Sequence, residues 1–245
     1  MNATDVQFAS GFHLSELEVQ RGLTVLHCPR ETSATTLALT LAGRMKPKSG
    51  RIEYRPSHGK FTSLDELHRH IAFSGVPDID YVERLVPVRS IVREQVAWIS
   101  PWYRRTPSNI DHIERYCTAA ERIGFTLSNQ EAKHTTVGEL GPLERFKLRI
   151  CLALLARPEA ELLIVDDIDQ LRSLRLRAEF LQALRGLGAP GEGQALGTSV
   201  LAIAVNDDVD GIADATIQVG EALSRASAQG PLHLVRERIQ QEVGQ

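Results

Sequence analysis

The sequence predicts an α/β fold: a mixed, largely parallel sheet flanked by helices, with an inserted helical subdomain. Three observations carry this. Continuous apolar runs of strand length recur at Leu23–Leu26, Glu161–Asp166 and Val200–Val205, the pattern of parallel strands covered on both faces. Loops and amphipathic helical patterns separate these runs. From about residue 88 to 156 the pattern turns helical throughout, which divides a single domain over 1–245 into a core (1–87 and 157–245) and a helical subdomain.

The elements follow in order. Val19 to Gly22 reads as a turn before the strand Leu23–Leu26. The loop Cys28-Pro-Arg-Glu-Thr-Ser33 leads into a helix over Ala34–Ala42, with Leu37 and Leu41 on one face and Gly43 as a stop. Lys46 to Gly50 is a turn, Arg51–Tyr54 a short strand, and His70–Ser74 a further strand ending at Gly75-Val-Pro77. Ser90–Trp98 and Asn109–Gly124 are amphipathic helices, the second capped by Ser108 or Asn109 with Asp111 in its first turn. Pro142–Ala156 is a third helix that buries Phe146, Ile150 and Leu154, and Leu171–Leu187 a fourth. Five glycines fall within residues 186–197, an insert of linker composition. Ala215–Val219 reads as an edge strand and Leu232–Val243 as a terminal amphipathic helix.

Composition narrows the function classes. Of 245 residues, 42% are hydrophobic and 24% charged, which suits a globular domain and excludes disordered and fibrous chains. Twenty-eight Lys and Arg against 31 Asp and Glu leave a net charge of −3. No global basic field argues for nucleic acid. The longest apolar runs, such as Ser199–Val205, fall far short of the ~20 residues of a membrane span. The first residues lack the basic-then-apolar plan of a signal peptide. Three widely spaced cysteines, Cys28, Cys117 and Cys151, form neither a disulfide framework nor a zinc motif and suit a reducing cytosol. The expectation is a soluble intracellular domain.

Six segments, in order, resemble the ATP-binding subunit of an ABC transporter over roughly residues 12–222. Gly22-Leu-Thr-Val-Leu-His-Cys-Pro29, Thr35-Thr-Leu37 and Leu41–Ile52 follow that family's first strand, phosphate loop and following turn. Pro87–Glu94 looks like the start of its helical subdomain, and Leu140–Leu155 like its signature loop and helix. Leu162-Leu-Ile-Val-Asp-Asp167 looks like the Walker B strand, and Ala213–Val219 like the last core strand. The resemblance implies a P-loop NTPase core of the ABC type. It lies in framework, not in catalytic residues.

A phosphate loop uses glycines for φ > 0, a lysine to reach the β- and γ-phosphates, and a Ser or Thr hydroxyl for Mg²⁺. Laid on that motif, the nucleotide-binding loop here is Cys28, Pro29, Arg30, Glu31, Thr32, Ser33, Ala34, Thr35 and Thr36. Cys28 and Ser33 stand at glycine positions, Glu31 where the family often has a further glycine, and Ala34 in place of the lysine. Thr35, the Mg²⁺ position, survives. One attraction is lost and one repulsion added, each about 1–4 kcal/mol at ~4 Å depending on shielding. Arg30 compensates only if it folds inward, while the helix N-terminus still attracts anions.

The remaining family positions are altered as well. Asp166 keeps the carboxylate that would hold Mg²⁺ through water. Asp167 replaces the Glu that orients the attacking water, with about 1.5 Å less reach. In the signature loop, Leu140, Gly141, Pro142, Leu143 and Glu144 replace a Ser-Gly-Gly cluster. Gly141 falls at the Ser position and Pro142 removes a donor, although Pro142 suits a first helical position. Asn206 takes the place of the His near the γ-phosphate, Val76 that of the Gln near Mg²⁺, and Ser173 that of the D-loop Asp. Phe8 and Phe12 are candidates for adenine stacking or for core. No histidine pair has metal-ligand spacing with a nearby Cys or carboxylate set. Arg104-Arg105, beside Trp98, Trp102 and Tyr103, reads as a partner-facing or solvated surface rather than a nucleic-acid platform.

The resemblance therefore implies a degenerate ABC-type nucleotide-binding domain with little or no ATP hydrolysis. Its expected partners are a membrane permease subunit and a second nucleotide-binding domain in a homo- or heterodimer. It would lie peripherally on the cytoplasmic face through that partner. ATP and Mg²⁺ are the implied ligands, bound weakly, with Thr35 and Asp166 as the metal positions. Two alternatives remain: an ATP-hydrolysing subunit active with a partner chain, and a soluble regulatory or scaffold protein of the same fold.

Overall fold

The computed structural model describes residues 1–8, 11–29, 33–75, 83–190, 196–206, 208 and 210–219. Val76, Arg30, Glu31, Thr32 and the expected helix over 232–243 lie outside them. Strands β1 (Asn2–Gln7), β2 (His13–Glu18), β3 (Leu23–His27), helix α1 (Ala34–Leu41) and β4 (Ser49–Glu53) open the chain. Then come α2 (Leu64–His70), β5 (Ile71–Ser74), α3 (Val88–Ile99), α4 (Glu114–Ile123), α5 (Asn129–His134) and α6 (Pro142–Ala156). Last among the described residues are β6 (Leu162–Val165), α7 (Leu174–Gly186), β7 (Ser199–Ala204) and β8 (Ala215–Gln218).

Two sheets form. A five-stranded sheet of order β5-β6-β7-β3-β8 is parallel throughout, and a three-stranded antiparallel sheet has order β2-β1-β4. Alternation along the parallel strands sorts side chains into two cores. Leu23, Val25, Leu163, Val165, Val200 and Ala202 join the core formed with α3, α4, α6 and α7. Leu26, Leu162, Ile164, Leu201 and Ile203 join the core formed with α1 and the antiparallel sheet. Both faces are covered, which explains the unbroken apolar runs.

The helical insertion lies between β5 and β6. Pro142 begins α6 as expected, and seven of its residues are buried on several sides, so α6 is the post on which the other helices rest. The predicted single helix over Asn109–Gly124 is broken. Asn109 caps a short 3₁₀ turn, accepting from the Asp111 amide at 2.9 Å, before α4 starts at Glu114. Gly124 closes α4 with φ 67°. The helix expected from Leu171 starts later, at Leu174, where the Ser173 hydroxyl accepts from the Leu176 amide.

The N-terminal hairpin and α2 were not foreseen. In β1 and β2 the buried residues, Ala3 and Val6 opposite Leu17 and Leu14, are three apart instead of two. Asp5, with φ 53°, forms a bulge that shifts the β1–β4 register between Thr4 and Gln7. Gly50, at φ 95°, lies against the Asp5 backbone so closely that a side chain would collide with it. Phe8 is fully buried in this core against Phe12, so its candidacy as an adenine platform is corrected to a packing role.

A polar corner joins the two sheets. Ser57 donates from its amide and hydroxyl to Glu161, and His58 Nδ1 lies 3.4 Å from the same carboxylate. His70 stacks on Phe61 at 4.1 Å and lies 5.6 Å from the His58 ring. Burial, then the neighbouring His58, lowers the pKa of His70 below its ordinary value. Glu161 is pushed up by burial, but the Ser57 and His58 contacts outweigh this and leave it below the usual carboxylate range. Both shifts mean that the unfolded chain binds more protons than the folded one in acid, so stability rises with pH. Melts should show stability falling from pH 7 through about 6.5, the ordinary imidazole range, and further near the carboxylate range. His70→Phe should shallow the upper part of that profile, where His68 is also lowered by burial, and leave the lower part.

Candidate functional site

The candidate site is built at the carboxyl ends of β3, β6 and β7. The Cys28 amide donates to the Ala204 carbonyl at 2.7 Å, which carries the β3–β7 ladder one residue beyond β3. The Cys28 side chain is buried in the core, so this predicted loop residue does not face a ligand. Ser33 caps α1 in the left-handed conformation, φ 52° and ψ 47°, with no side-chain capping bond. This is the backbone a glycine would adopt. The chain keeps the shape of a glycine turn without the glycine.

Ser33, Ala34, Thr35 and Thr36 line a cleft of about 630 Å³, opposite Asp166, Asp167, Asp169 and Gln170. The Asp166 amide donates to Ser74 O at 2.8 Å, and its side chain is 1% exposed. Gly75, at φ 109°, lies on the Asp166 backbone where any side chain would collide. Asp167 is left-handed too, at φ 47°. Among the described residues lining the cleft, three are carboxylates and Arg172 is the one cation. Thr35 and Asp166 both line the cleft, with Ala34 at the start of α1 beside them.

Asp169 was not singled out from the sequence, yet it organises the site. One carboxylate oxygen accepts from Arg177 Nη1 at 2.5 Å and from Asn206 Nδ2 at 2.6 Å, and the other from the Val205 amide. The Asp169 and Arg177 side chains are 11% and 9% exposed. Asn206, the expected γ-phosphate position, therefore gives its amide to Asp169 and is not among the cleft-lining residues. Gln170 accepts from Arg149 of α6 and donates to the Gly75 carbonyl, each at 3.4 Å, tying the helical insertion to the end of β5. A third carboxylate two residues beyond Asp167 was the only sequence signal for this network.

The predicted signature residues Leu140, Gly141, Pro142, Leu143 and Glu144 form the start of α6, with Gly141 as N-cap. None of them lines the cleft. Arg145 Nη1 donates to Leu140 O at 2.6 Å and Lys147 pairs with Glu144 at 3.1 Å, so local contacts satisfy this turn.

No protein-family model and no curated protein matches the sequence. Solved structures do. A dimeric bacterial ABC transporter cassette superposes with TM-score 0.62 at 15% identity, over 90% of this chain and 95% of its own. The cbiO1 protein of Clostridium perfringens, part of the cbiONQ ABC transporter complex, gives 0.61 at 16% identity over 98% of both. An ABC transporter cassette in its ADP conformation gives 0.62 at 14% identity over 100% and 98%. The chain has the ATP-binding-cassette fold.

Within this cassette fold the β3 strand leads to α1, with Ser33 left-handed at the helix start. An L residue in the left-handed region costs roughly 1–2 kcal/mol, which Ser33 bears. Ser33→Gly removes that strain and loosens the unfolded chain, so chemical denaturation should show a net gain of about 0.5 kcal/mol. Asp169→Ala would leave the Arg177 charge buried and unpaired, a loss of about 3 kcal/mol or more. Adding Arg177→Met to it should recover part of that loss, which a double-mutant cycle would read.

Proposed function

We propose that this chain is a degenerate ABC-type nucleotide-binding subunit that docks a membrane permease subunit and hydrolyses ATP poorly or not at all. One observation carries the reading. Ser33 holds the backbone of a phosphate loop at the start of α1, beside Thr35 and Asp166, while Ala34 stands where the phosphate-binding lysine belongs. A triphosphate entering this cleft would meet carboxylates where the fold needs cations, at a cost of about 1–4 kcal/mol per close pair. In this reading the retained shape serves assembly. It places the subunit on the cytoplasmic face, paired with a second nucleotide-binding domain, and it makes residues 88–156 the helical subdomain of a single domain.

A groove of about 460 Å³ between the core and the helical insertion supports the docking half of the proposal. Phe73, Val86, Ile91, Trp98 and Leu152 provide its apolar surface, with Arg44, Arg149 and Arg157 against Glu83 and Glu94. Apolar walls with fixed charges suit an amphipathic helix laid into a groove. No helix among the described residues is long and apolar enough to cross a membrane.

Calorimetry should find MgATP binding weaker than the micromolar range, about −8 kcal/mol. Low-micromolar binding by the wild-type chain would sink the degenerate reading. The triple variant Glu31→Gly, Ser33→Gly, Ala34→Lys should bind more tightly without turnover, because Asp167 and Asn206 remain.

Docking has its own test. Ile91→Asp should weaken co-purification with the membrane subunit of the native complex by roughly thirtyfold, the effect of losing one interface anchor. Asp167→Asn should leave it unchanged. The reverse outcome would point to a working ATPase.

A further inference from the structure

Beyond the groove, one surface feature is unaccounted for. After α3 ends at Ile99 the chain turns at Pro101, whose carbonyl accepts from the Arg104 amide at 2.9 Å. Arg93 on α3 donates from Nε to Pro107 O at 2.9 Å and pins the far end of this turn. The turn projects Trp102, 96% exposed, and Tyr103, 73% exposed, which meet edge to face at 6.0 Å. Trp98, one helical turn earlier, is 79% exposed. Arg104 and Arg105 are exposed beside them, and neither makes an ion pair among the described residues. Between Glu94 and Asp111 the sequence has no acidic residue.

Large aromatic side chains left in water at this level mark a contact surface. The shape and charge of this one select the partner. Trp102 stands on a convex tip, so it needs a soft layer to enter and not a rigid wall to meet. Trp and Tyr bury their rings at the lipid headgroup level while their polar edges stay wet. Two unpaired arginines beside them match a negative surface. The position fits too: Trp98 lines the groove proposed to receive a membrane-embedded subunit, so the tip borders a face turned to the bilayer. We propose that Trp102, Tyr103, Arg104 and Arg105 form a lipid-contacting tip that inserts among anionic headgroups. The orientation rests on the docking reading. The contact itself is tested without a partner.

Trp98 and Trp102 are the only two tryptophans of the chain, so intrinsic fluorescence reports on this patch alone. In a Trp98→Phe background, Trp102 is the sole reporter. Vesicles of phosphatidylcholine with a quarter phosphatidylglycerol should shift its emission to the blue and shield it from aqueous iodide. Pure phosphatidylcholine vesicles should do neither. Arg104→Ala with Arg105→Ala should raise the lipid needed for half-saturation roughly thirtyfold, the two lost charges together. Trp102→Ala, followed by sedimentation with the same vesicles, should weaken binding at least fivefold. Circular dichroism serves as the folding control.

The inference is overturned if anionic vesicles leave the emission unchanged, or if the arginine variant binds them as wild type does. It is equally overturned if the blue shift grows with protein concentration in the absence of lipid, which would assign the patch to a second copy of this chain. Ile91→Asp separates the two proposals. Loss of permease co-purification with no vesicle response in any variant sinks the lipid contact alone. Vesicle binding with permease co-purification untouched by Ile91→Asp sinks the groove reading alone.

Discussion

Two-sided burial of the parallel sheet is the constraint on which everything else depends. β3, β6 and β7 alternate their side chains between a core shared with the helical insertion and α7 and another shared with α1 and the antiparallel sheet. Each buried Leu, Ile or Val contributes about 1.5–3 kcal/mol, so the strands cannot slip without moving both cores at once. Their carboxyl ends are therefore fixed points. The cleft is assembled from whatever those ends carry, whether or not the residues suit a nucleotide.

This separates framework from chemistry. At the start of α1, Ser33 is held in a glycine conformation. Gly75 is needed because a β-carbon there would collide with the Asp166 backbone. Neither requirement mentions a phosphate. A fold can lose its catalytic side chains one by one while the packing that shaped their loops remains, because that packing is apolar and lies elsewhere.

Around the cleft the polar contacts are turned inward. Asp169 binds Arg177, Asn206 and the Val205 amide together, which satisfies groups that a ligand-sensing site would leave available. Gln170 spans from α6 to the end of β5, the one described polar link between insertion and core beside the cleft. The outer face is the opposite: its aromatic residues at 98, 102 and 103 are largely exposed.

The sequence by itself determined the α/β class, the parallel strands and the run of helices between β5 and β6, because unbroken apolar runs and helical periodicity are local facts. Tertiary structure decided the rest. The β1–β2 hairpin stayed hidden because the Asp5 bulge spaces its buried residues three apart, mimicking a helix. The helix predicted from Asn109 broke because the Asn109 side chain spends its cap on a 3₁₀ turn, leaving Glu114 to start α4. Cys28 and Phe8, the latter left open between stacking and core by the sequence, are both buried, since position along a strand does not say which face is covered. Asp169 was silent until folding brought Arg177, Asn206 and Val205 to it over 8, 37 and 36 residues of chain. A carboxylate's role is set by what surrounds it, and those neighbours are supplied by packing rather than by sequence adjacency.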